Sequence, residues 1–225
     1  MKNIFLVLFI LPFMLFGQEQ DSITFKKLDL GFTYSPEYSY RMIKSDNSSQ
    51  FLKDSYDSLE IPKLGYTLGF NGVYSFNSKL AFSLGLLFSD KGEKFKMNIL
   101  DAFSNYKNHY YFIELPVKLK YIIIDSKIKF YGTLGISTNL FLQHRIAYKL
   151  SGSSSSENIH GNSTDIANMN MALNVGTGID CPLSTRWFFK AEVGYKQSFT
   201  SMTTNTNLKR YLYSFGPTLG LFYRF

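Results

Sequence analysis

Three histidines, His109, His144 and His160, are the side chains of this 225-residue chain best suited to moving protons near neutral pH. His109 and His144 fall at the same end of two successive extended segments, with Asp90 and Asp165 near that end. A carboxylate beside an imidazole is what a hydrolase or acyltransferase uses. No spacing of Ser, Cys, His and Asp reinforces that chemistry, so no catalytic residue is assigned. Cys181 is the only cysteine and makes no intramolecular disulfide. Nothing has the spacing of a metal site, a P-loop or a dinucleotide fingerprint, and no cofactor is expected. A denser set of charged groups is Glu114, Lys118 and Lys120 in one segment and Lys190, Glu192 and Lys196 in another, with Arg224 near the C-terminus. Lys63 and Lys129 share their parity. These charges pair only if the elements that carry them enclose one narrow space.

Eight segments alternate apolar and small polar residues with period two, the signature of strands. They run over about 28–40, 63–76, 79–90, 110–123, 127–142, 168–180, 187–199 and 211–225. In the second, Leu64, Tyr66, Leu68, Phe70, Tyr74 and Phe76 share one face, and Gly65, Thr67, Gly69, Asn71 and Ser75 the other. Glu114, Lys118, Lys120, Lys190, Glu192, Lys196 and Arg224 all lie on the small polar faces. Tight turns near Asn77-Ser78, Asp125-Ser126 and Leu183-Ser184 alternate with longer loops near 41–62, 91–109, 143–167 and 200–210. The serine run 151–156, interrupted only by Gly152, reads as a flexible loop tip. Pro116 lacks the N–H for a ladder bond and is expected at a bulge or bend.

The apolar faces carry almost no charge and many large residues. The polar faces are mostly Gly, Ser, Thr and Asn. A water-soluble barrel of lipocalin type would reverse this, hiding its apolar face and showing Lys and Glu. Small inward residues suit the cramped lumen of an eight-stranded barrel whose outer face meets lipid. Aromatics gather at both ends of the segments, Tyr74, Phe76, Tyr121, Trp187, Tyr223 and Phe225 at one, and Tyr38, Tyr40, Tyr66, Tyr111, Phe199 and Tyr211 at the other. The expected fold is all-β, an eight-stranded antiparallel up-and-down transmembrane barrel over residues 18–225. Residues 1–17 read as a secretion signal: Lys2, then the apolar run Ile4–Phe16, then Gly17 before a polar stretch. The chain then sits in the outer membrane with both termini periplasmic. Its environment is outer-membrane lipid and lipopolysaccharide. The net charge of +7 is scattered rather than clustered, which does not suggest nucleic-acid binding. Tyr223 and Phe225 form the C-terminal pattern that barrel-assembly machinery reads.

The stretch Phe112-Ile-Glu-Leu-Pro-Val-Lys-Leu-Lys-Tyr121, followed after a short turn by Phe130-Tyr-Gly-Thr-Leu-Gly135, resembles the PorT-type outer-membrane β-barrel family of Bacteroidota. The resemblance implies an eight-stranded outer-membrane barrel but no single activity. One branch of that family assists type IX secretion and gliding. The expected role is therefore non-enzymatic: structural, adhesive or secretion-accessory. A small porin and an enzyme active at the barrel rim are the alternatives. The inward charges are expected to pair into a plug, because an unpaired buried charge is costly.

Overall fold

Alternation of large apolar with small polar residues produces strands because each pleat turns successive side chains to opposite faces. The computed structural model describes residues 28–46, 49–99, 102–150, 153–159, 166–204 and 207–225. The expected signal segment 1–17, His160 and Asp165 lie outside them. Ten strands are present among these residues: β1 (Leu28–Ser45), β2 (Glu60–Ser75), β3 (Leu80–Lys91), β4 (Glu93–Ile99), β5 (Ala102–Ile124), β6 (Lys129–Leu150), β7 (Ser153–Ile159), β8 (Met169–Pro182), β9 (Trp187–Ser198) and β10 (Leu208–Arg224). One helix, α1 (Gln50–Leu59), joins β1 to β2.

Eight strands close a ring in the order β1-β2-β3-β5-β6-β8-β9-β10, every neighbour antiparallel. β10 pairs back on β1 from Asp29↔Arg224 to Ser45↔Leu208, which leaves the ring no free edge. The seam ends with the Phe225 N–H donating to the Leu28 carbonyl at 3.0 Å. Leu28, Phe225 and the three tight turns therefore share one end. At the opposite end the expected loops are largely ordered pairing. β4 continues β3 past Gly92 and pairs with both β5 and the first residues of β2. β7 folds back along β6. Ser153–Ser156, expected in a flexible tip, belong to β7. β4 does alternate, Phe95, Met97 and Ile99 against Lys94, Lys96 and Asn98, within a stretch read as a loop, whereas the serine-rich β7 leaves no hydropathy trace.

Pro116 also departs from expectation. Register with β6 runs unbroken through it, from Phe112↔Phe141 to Ile122↔Tyr131, and the shifts fall at Tyr111/Phe112 and Ile122/Ile124, while the ladder to β3 keeps its register but skips from Leu84↔Val117 to Leu87↔Glu114. On its other side the ring is accommodated by Gly85, where a Cβ would lie 2.9 Å from Pro116 Cγ. A missing side chain opposite makes the bend unnecessary.

The ring inverts the usual distribution of polarity. Phe70 (68% exposed), Leu134, Val193 and Leu219 point outward, whereas Ser39, Ser89, Glu114 and Ser137 are fully enclosed. A continuous apolar outer belt of this kind is stable against hydrocarbon, not water. Rings mark its limits. Trp187 meets Tyr223 edge to face at 5.1 Å near the tight turns, and Phe88 stacks on Tyr111 at 5.7 Å toward the other end.

Candidate functional site

The lumen is the candidate site, built where period two turns charged residues inward from neighbouring strands. It has three levels. In the middle, the fully buried carboxylate of Glu114 on β5 lies between Lys91 on β3 and Lys196 on β9, 3.0 Å from the latter. Lys196 also bonds Glu37 of β1 at 2.8 Å, bridging the barrel. One lysine thus satisfies two acids, and Glu114 takes a second lysine.

Toward the tight turns, Lys118 pairs with Glu192 at 2.8 Å, Lys120 with Asp180, and Arg224 holds Asp29 through two bonds of 2.8 and 3.2 Å. Lys190 lies here without a carboxylate in ion-pair contact, its Nζ 3.9 Å from the centre of the Phe222 ring. Val73, Ala81, Phe188 and Phe222 close this end with an apolar cluster. Between the two levels is a cavity of about 90 Å³ lined largely by polar residues.

Toward the long hairpins, Arg41 binds Glu60 and, at 3.1 Å, Asp57 of α1. Arg210 reaches Glu93 at 3.6 Å and Glu60 at 3.9 Å. Tyr110 donates to Glu93 at 3.0 Å and stacks on His144, ring centres 4.6 Å apart. Burial, with the nearby Arg210 and His109, pushes His144 down to about 4. Below it, Lys63 and Asp90 form an ion pair, and His109 Nδ1 lies 2.9 Å from Asp90 Oδ2 and 2.7 Å from Lys63 Nζ. One nitrogen facing both an ammonium and a carboxylate is poorly placed for a general base. Nδ1 accepts from Lys63 only when the ring proton sits on Nε2. Among the described residues no cluster of His, Cys, Asp and Glu has the makings of a metal site.

The structure brings Glu114 with Lys196 and Glu192 with Lys118 among the residues singled out from sequence. It separates Lys129, which pairs with Asp125 at 2.8 Å in the turn preceding β6 rather than in the lumen. Asp29, Glu37, Lys91 and Asp180 complete the network and were not singled out. Asp29, Glu37 and Asp180 have inward parity within the expected strands, so continuing the alternation would have found them, and Lys91 stands one residue past the expected end of its strand. Arg41, Glu60, Glu93 and Arg210 had no such signal, because they fall in stretches read as loops.

The sequence model for the outer membrane protein beta-barrel domain family matches residues 16–202. No curated protein matches the chain. Among solved structures, Neisserial surface protein A is 14% identical, with 88% of this chain and 97% of that chain covered and a TM-score of 0.45. A major outer membrane protein from Thermus thermophilus is 12% identical, with 88% and 98% covered and a TM-score of 0.48. The outer membrane protease OmpT from Escherichia coli is 8% identical, with 92% and 99% covered and a TM-score of 0.49.

Proposed function

Because this chain belongs to the outer membrane protein beta-barrel domain family, we propose that it serves as a closed, non-enzymatic barrel of the outer membrane with a structural, adhesive or secretion-accessory role. The observation that carries this reading is the cross-linked lumen. The Glu37–Lys196–Glu114–Lys91 bridge spans the interior, and the apolar cluster around Phe188 and Phe222 closes one end. A small porin needs a continuous wet path, which these groups obstruct. In a planar bilayer the purified barrel should give only background conductance. Steady current through the wild type would replace this reading with the porin.

The long-hairpin end, with α1 and the ordered β4 and β7, is the surface that faces outward in this proposal, and both termini are periplasmic. In a Cys181→Ser background, Ser55→Cys on α1 should react with a membrane-impermeant maleimide on intact cells. Labelling only after the outer membrane is opened would invert the orientation. Lipopolysaccharide and outer-membrane lipid surround the apolar belt. Tyr223 and Phe225, in edge-to-face contact at 4.9 Å, are the groups that the assembly machinery engages. The motif 112–121 favours the PorT-type, secretion-accessory branch within this reading.

A further inference from the structure

Among the described lumen residues, each lysine and arginine named above except Lys190 has a carboxylate within ion-pair distance. Lys190 is 7% exposed and stands on β9 opposite Asp180 of β8 and Gly220 of β10. The acids of its level are engaged elsewhere, Asp29 with Arg224, Asp180 with Lys120 and Glu192 with Lys118. This half of the lumen therefore holds one cation more than it holds carboxylates. The Phe222 face offsets only part of that, since a cation–π contact is weaker than the cost of dehydrating an ammonium.

The cavity of about 90 Å³ borders Lys190. A cavity of that size holds several waters, and it also accommodates one monatomic anion. The Thr133 hydroxyl and the Asn174 carboxamide, both on its wall and both more than nine-tenths buried, have no protein partner. They add uncommitted donors to the same enclosed space. We propose that this cavity binds a small inorganic monovalent anion, chloride under ordinary conditions, with Lys190 as its principal counter-charge. The anion offsets the extra cation of this half of the lumen and serves Lys190 as a counter-ion against its aromatic floor. The site lies between the Phe188–Phe222 cluster and the Glu37–Lys196–Glu114 bridge. The proposal rests on the closed-lumen reading, and a conducting wild type would remove that reading independently.

The test is thermal unfolding of the full barrel in detergent, at fixed pH and ionic strength, in sodium chloride, bromide or gluconate. Gluconate is too large for the cavity. Chloride and bromide should raise the midpoint by several degrees over gluconate, and Lys190→Met should lose that difference. Equal midpoints in all three salts, or a halide effect that persists in Lys190→Met, would overturn the proposal. Crystals of the wild type grown in bromide give a check that needs no variant. An anomalous peak beside Lys190 is expected, and its absence at full bromide occupancy of surface sites would also defeat the idea.

Discussion

Glu114 shows how a side chain with no exposed surface keeps its charge. Two lysines hold its carboxylate, and Lys196 is shared with Glu37. Glu114→Ala leaves Lys91 without its partner and Lys196 with only Glu37. The expected cost is on the order of 3–5 kcal/mol, read as a lower unfolding midpoint in detergent. Adding Lys91→Met should recover part of it, and additive losses would show that the two groups are not coupled. His144 makes a pH prediction. Its folded value is about 4, below the ordinary 6.5, because burial, and after it the neighbouring Arg210 and His109, disfavour the imidazolium. The unfolded chain thus takes up the proton first. Stability from this group is complete above pH 6.5 and declines as pH falls toward 4. The ring is partly exposed, so solvent screening limits the effect to about 1–2 kcal/mol. His144→Gln should flatten that slope in an acid unfolding series, and an unchanged slope would assign it to other groups.

At the scale of elements, the join between β3 and β4 rests on Gly92. Its φ of +147° is one that side chains rarely adopt, and a Cβ there would overlap the Asn108 carbonyl. Gly92→Ala should cost about 1–3 kcal/mol. The loss should be local. Hydrogen exchange should quicken in 93–99 and 102–109 while β5 from Ile113 onward keeps its protection. Uniform deprotection would mean that β4 and the ring unfold as one unit. α1 is a different kind of addition. Its Tyr56 ring lies 4.9 Å from the Arg210 guanidinium and 5.9 Å from that of Arg41, so the helix caps the outer ion cluster. Phe51, Leu52, Tyr56 and Leu59 recur at helical spacing against Lys53, Asp54 and Asp57, a stripe hidden within the stretch 41–62 read as a loop.

The whole molecule is a ladder closed on itself, and closure predicts its behaviour on gels. Unfolding must break the β1–β10 seam and the cross-lumen bridges together, so detergent alone leaves the barrel intact. Unboiled protein should migrate apart from boiled protein, and a single position for both would contradict a closed ring. The same closure makes the lumen an enclosed space in which charges at distant sequence positions, such as Glu37 and Lys196, become neighbours at 2.8 Å.

The strands that cross the apolar belt were legible in the sequence because lipid on one side and a narrow polar lumen on the other enforce strict alternation. The turn positions, the inward parity of Glu114, Lys118, Lys120, Lys190, Glu192 and Lys196, and the outward aromatics follow from that rule alone. What alternation does not encode is which inward charge meets which. That depends on the stagger of strands around the ring, and only the closed structure joined Glu114 to Lys91 and Lys196 and left Lys190 without an acid. Beyond the belt the constraint that lipid imposes disappears. There β4, β7 and the outer parts of β5 and β6 are held by ladder bonds, and buried ion pairs such as Arg210–Glu93 join positions far apart in the chain, a pairing that no local pattern records.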